Sequence, residues 1–115
     1  MEIKIVKDNI SMNEVAKLAS DGFGDMVKAV VDIEKEIMAI GGELHADAAQ
    51  LLGEKEGSLG QNVWGFNIYP GESRKDWVVF DSMVNIKPLS NNRSLYIESE
   101  DIRKKIKEIV DKLVS

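Results

Sequence analysis

The sequence predicts an α+β domain: a mixed or antiparallel sheet of about five strands with helices packed on it, in the order β-α-β-β-α-β-β-α. Three observations predict it. Short runs of branched and aromatic residues alternate with polar ones. Two segments carry apolar residues at helical spacing behind a serine cap. Both prolines and every glycine but Gly65 fall between these runs rather than inside them. At 115 residues the chain has the length of one domain, residues 1–115, which buries roughly 60–70% of its extended surface on folding.

Residues 2–6, Glu-Ile-Lys-Ile-Val, read as a first strand. A helix begins after Ser11, which has capping-box spacing to Glu14, while Ile10 and Val15 have the spacing of a hydrophobic staple. Val15, Leu18 and Ala19 form its stripe, and Gly22 is a natural stop. Residues 26–40 fit a helix through Met26, Val30, Ile33, Ile37 and Ile40, or a strand through Val27, Ala29, Val31 and Ile33. The density of β-branched side chains favours strands, because branching at Cβ suits a pleated surface better than a helix. A three-residue turn, Glu34-Lys35-Glu36, then pairs Ile33 with Ile37. Glu36 would hold the position that needs positive φ, at a cost of about 1 kcal/mol relative to glycine.

Gly41-Gly42 breaks the chain, and residues 46–52 are good formers of a short second helix. Residues 53–61 read as a surface loop. Val63 to Tyr69 and Trp77 to Ile86 read as two long strands, each stopped near a proline and joined by residues 71–75. Residues 89–94 form another loop, and Tyr96-Ile97 adds a short edge strand. The final helix is capped by Ser99, with Glu100 and Asp101 at its positive end. Ile102, Ile106, Ile109, Val110 and Leu113 make its stripe, and Glu100–Lys104, Asp101–Lys105 and Glu108–Lys112 are i,i+4 pairs.

The sequence has no cysteine, which excludes disulfides, thiolate metal sites and a cysteine nucleophile. That absence favours the cytoplasm. No apolar run approaches the ~20 residues of a membrane span, and nothing implies a cofactor. The net charge of −5 opposes general nucleic-acid binding. It is unevenly placed: residues 1–60 hold 6 Lys/Arg and 12 Asp/Glu, residues 61–115 hold 9 and 8.

Several peptides resemble a small bacterial and archaeal family catalogued only as a domain of unknown function. They are Phe23-Gly24-Asp25-Met26-Val27-Lys28, Gly41-Gly42-Glu43-Leu44-His45-Ala46-Asp47, Trp64-Gly65-Phe66-Asn67-Ile68-Tyr69-Pro70, Phe80-Asp81-Ser82-Met83-Val84-Asn85-Ile86 and Asn92-Arg93-Ser94. The resemblance spans nearly the whole chain. It implies glycine as a frequent residue where this chain has Glu36, and it implies no activity.

Three groups of residues could carry chemistry. On an extended backbone Glu43, His45 and Asp47 point the same way, which would suit a divalent metal or a general acid/base pair of His45 and Glu43. The plainer reading makes Asp47 a helix cap and His45 a hydrogen-bonded residue beside it. Alternation along the later strands puts Asn67, Asp81 and Asn85 on a common polar face near Lys87 and Arg93, which would suit an anionic ligand. The plainer reading is an ordinary solvent face. Asn91-Asn92-Arg93-Ser94 could clamp a phosphate through Arg93, or be turn chemistry alone. Trp64, Phe66 and Trp77 read as core aromatics.

Two functions follow as expectations. The first is a binding or regulatory module acting through a protein partner or a homo-oligomer. The second is a small enzyme or ligand-binding protein for an anionic compound, with metal assistance through Glu43, His45 and Asp47. Nucleic-acid binding would require Arg74, Lys75, Lys87 and Arg93 to form one patch.

Overall fold

The branched residues of the central segment build the middle of the molecule. Val27–Asp32 (β2) and Ile37–Gly41 (β3) form the hairpin that their composition predicts. In the computed structural model, which describes residues 1–115, they lie inside a five-stranded antiparallel sheet. Its other strands are Ile3–Val6 (β1), Val63–Ile68 (β4) and Val78–Val79 (β5), in the spatial order β1-β3-β2-β4-β5. Three helices complete the predicted element order: Met12–Asp21 (α1), His45–Glu56 (α2) and Glu100–Leu113 (α3). None is long and apolar enough to cross a membrane.

Alternation along the strands divides the apolar residues between two faces. Ala29, Val31, Met38, Ile40, Trp64 and Phe66 meet α1 through Val15 and Ala19 and α3 through Ile106, Ile109 and Val110. Val30, Ala39 and Val63 meet α2 through Ala48 and Leu52 on the other face. The sheet is therefore covered on both sides. Ser11 caps α1 and Ser99 caps α3, each accepting from the backbone N–H three residues on. A parallel bridge between Ile10 and Val114 ties the approach to α1 to the end of α3.

The structure corrects several local expectations. The hairpin loop has four residues, Ile33 to Glu36, because Asp32 rather than Ile33 pairs with Ile37. Asp32 sets this register: its buried carboxylate accepts from Glu34 N–H and Lys35 N–H and folds the loop over itself. Glu36 does take positive φ, at 57°. The second helix runs past residue 52 to Glu56 and stops at Gly57, whose φ of 69° closes it, so half of the expected loop is helical. Asp47 does not cap it, since Leu44 is the capping residue and provides no side-chain bond. Gly22 ends α1 without left-handed geometry, at φ −100°. The strand expected over 77–86 survives only as Val78–Val79, and Met83–Asn85 forms a 3₁₀ turn. The Tyr96-Ile97 edge strand reduces to one bridge between Asp81 and Tyr96.

The i,i+4 pairs expected on α3 are absent among its ion pairs. Lys105 and Lys112 reach across to Glu36 instead. Their two ammonium groups hold the Glu36 carboxyl down at about 2, well below its ordinary 4.5. A carboxylate lowered in this way stabilises the fold fully above the ordinary value, and that contribution is lost as pH falls from 4.5 toward 2. Urea midpoints of the wild type and Glu36→Gln, compared over that range, are expected to differ most at neutral pH and to converge in acid.

Candidate functional site

The residues expected to carry chemistry separate into an open groove and a buried clamp. The groove, of about 480 Å3, lies where the first turn of α2, the ends of β2 and β4, and residues 81–84 meet. Met26, Leu44, Met83 and Leu95 supply most of its apolar wall, and Lys28, His45, Asn67, Asp81 and Ser82 its polar groups. Three of the wall residues are well exposed: Leu44 at 57%, Met83 at 77% and Leu95 at 47%.

His45 is the first residue of α2, and its ring is buried. Its Nε2 lies 2.8 Å from the carbonyl oxygen of Phe66. A carbonyl only accepts, so Nε2 carries the hydrogen and Nδ1 is unprotonated in the neutral ring. Burial pulls the ring below its ordinary 6.5, with Lys28 acting in the same direction, while the Phe66 carbonyl and the Asn67 side chain oppose it. Asn67 donates to the Asp81 carbonyl at 3.1 Å. Lys28 donates to the Glu43 carbonyl at 2.8 Å and lies 5.0 Å from the centre of the Phe23 ring.

Glu43, His45 and Asp47 do not converge. The helix begins at His45, so the two-residue period of an extended chain no longer applies and alternate residues point to different sides. Glu43 and Asp47 are exposed while the histidine turns inward. No group of three or more His, Asp and Glu side chains is placed to hold a metal ion.

Asn85, expected to meet a ligand, is fully buried and is spent on the fold. Its Oδ1 accepts from Gly65 N–H at 2.8 Å, and its Nδ2 donates to Gly65 C=O at 2.9 Å and to Leu95 C=O at 3.0 Å. One side-chain amide thus pairs with β4 as a neighbouring strand would. Gly65 permits the approach: a Cβ there would lie 2.7 Å from Ser82 and 2.8 Å from Val84. A glycine between two aromatic residues in a strand is the sequence signal for this close approach. Asn92 acts likewise, donating to the carbonyls of Asn85, Ser94 and Tyr96 and accepting from Glu98 N–H.

Lys87 and Arg93 lie outside the lining of the groove. The Lys87 ammonium donates to Val84 C=O at 2.7 Å above the Trp64 ring, and burial lowers its pKa from the ordinary 10.5. Arg93 projects into solvent while its backbone N–H donates to Glu98. Of the five residues expected to share a ligand face, only Asn67 and Asp81 therefore reach the groove, because Met83–Asn85 turns where continued strand alternation was expected. Sequence reasoning missed Lys28 and the apolar wall. Lys28 sits opposite Asn67 in the β2–β4 register, a long-range pairing with no local signal. Arg74 pairs with Asp111 and stacks on Trp77, so it is engaged with α3 and the core.

Two measurements follow. Asn85→Ala leaves the buried N–H and C=O of Gly65 without partners, while Leu95 C=O keeps Ser82 N–H, and should cost roughly 2–5 kcal/mol, read from urea unfolding, with Gly65→Ala also destabilising by about 1–3 kcal/mol. His45 is lowered in the folded state, so the unfolded chain takes up its proton first. Stability should be complete above 6.5 and fall as pH drops below it, a dependence that His45→Gln should remove.

Comparison with known proteins adds a family. Neither a curated protein nor a solved structure matches the chain. Residues 4–113 match the model of the family described as "Protein of unknown function (DUF5674)". That match takes in every strand but the first residue of β1, all three helices, the groove and the clamp, and the chain belongs to this family.

Proposed function

We propose that the chain is a small binding module that works by non-covalent contact, with a protein partner or with itself, through the groove beside α2. The observation that supports this is the apolar wall. Leu44, Met83 and Leu95 stand in solvent around a concavity whose accessible lining is mostly apolar, and such surfaces gain by being covered. Methionine at the rim suits the role, because its unbranched side chain adapts to different shapes. The amides of Asn85 and Asn92 serve the backbone, as does Asn67 Nδ2, whereas Asn67 Oδ1 is buried without a hydrogen-bond partner.

A second reading, binding of an anionic compound, is favoured by Lys28 alone among the groove residues. It is separable from the first. Inorganic phosphate that raises the melting temperature of the wild type but not of Lys28→Gln would support it.

The main reading is tested with anilinonaphthalene sulfonate. Saturable fluorescence enhancement is expected for the folded protein, with affinity lowered about tenfold or more in Leu44→Asp and Met83→Asp. Both side chains are exposed, so melting temperatures should change little. Absence of enhancement, or equal enhancement in the variants, would remove the groove as a binding surface.

A further inference from the structure

The segment that walls the groove also builds a projection. Lys87 and Asn92 exchange both backbone hydrogen bonds, at 2.7 and 3.1 Å, and close a tight loop. Pro88–Ser90 is a 3₁₀ turn at its apex, and Asn91 takes φ 59° to bring the chain back. Asn92 fixes the base of the loop with its four side-chain hydrogen bonds. Leu89, at the tip, is fully exposed. The fold thus holds a leucine in water, and no intramolecular contact accounts for it.

Charge separates the tip from the groove. Residues 82–97 contain no Asp or Glu and two cations, Lys87 and Arg93, within a chain of net charge −5. The groove residues are flanked by Glu43, Asp47 and Asp81, all exposed and none in an ion pair within 4 Å. Arg93 is exposed and also lacks such a pair. The groove holds one cation, Lys28, against the carboxylates of Glu43, Asp47 and Asp81, so an apolar tip with basic flanks and this groove are complementary in shape class and in net sign. Residues 81–96 contribute to both, so one self-complementary patch contains the two halves, as a two-fold interface requires.

Resting on the binding-module reading above, we propose that the groove receives the Leu89 tip of a second copy of this chain, two copies exchanging tips about a two-fold axis. Complementary sign favours this occupant over an anionic lipid surface, which the acidic remainder of the chain repels.

Sedimentation velocity from micromolar to millimolar protein tests it, with Leu89→Ser (tip removed, groove intact) and Met83→Asp (groove spoiled, tip intact). The wild type should approach twice its 12.8 kDa mass, and each variant alone should remain a monomer with an unchanged far-ultraviolet circular dichroism spectrum. Mixing supplies the decisive measurement. Methyl-labelled Leu89→Ser should show its Met26 and Met83 resonances shifting when unlabelled Met83→Asp is added, because one intact tip then meets one intact groove. A wild type that is monomeric throughout overturns the proposal, as does self-association that survives Leu89→Ser, or a mixture without methyl shifts. Co-sedimentation of monomeric protein with phosphatidylcholine–phosphatidylserine vesicles, lost in Leu89→Ser, would assign the tip to a lipid surface and also overturn it. The dye experiment stays independent: a strict monomer whose groove still binds the dye retains the binding reading and loses only this occupant.

Discussion

The amide of Asn85 is the interaction on which the second half of the molecule depends. β4 is long, but its neighbour β5 pairs with it only over Asn67 and Ile68. Beyond that point Gly65 would face the interior with its N–H and C=O unpaired, a costly arrangement for buried peptide groups. Asn85 satisfies both and also takes Leu95 C=O, while Asn92 takes Asn85 C=O. Residues 80–98 are thus hung from one strand through side-chain amides rather than through a ladder. The absence of a side chain at Gly65 makes the approach sterically possible. The groove wall and the Leu89 loop both inherit their position from this arrangement.

The regular half of the fold was legible in the sequence because it obeys local rules. The β-branched run of β2, the serine caps of α1 and α3 and the stripe of α3 each express one period or one cap, and the structure has them. Even the positive φ of Glu36 was readable from the turn. The failures share a cause of the opposite kind. Val78 to Ile86 alternates as a strand should, yet after two residues its backbone leaves the ladder, because the amide of Asn85 has taken the place of that strand. Lys105 and Lys112 have acidic neighbours at helical spacing, yet turn to Glu36 from a distant hairpin. Tertiary partners decide such cases, and no window of neighbouring residues contains them.

The candidate site divides in the same way. His45 and Asn67 were recognisable as polar residues near one sheet, and they do meet at the groove. Asn85 and Asn92 were recognisable as unusual but not as buried, because an asparagine that binds a ligand and one that substitutes for a peptide group have the same side chain. Glu43 and Asp47 lost their expected convergence to a helix that starts two residues earlier than their pattern requires. What remains is a surface in which hydrogen-bonding capacity is mostly spent on internal carbonyls while apolar area faces outward. That distribution is what supports the proposal of binding by contact.

The bridge between Ile10 and Val114 has a consequence for biosynthesis. Ile10 N–H bonds to Leu113 C=O, and Ser115 N–H bonds to Ile10 C=O, so the segment that leads into α1 takes its partner from the far side of the sequence. During translation the residues around Ile10 are made well before Leu113 and Ser115, so this ring closes only in a late, long-range step.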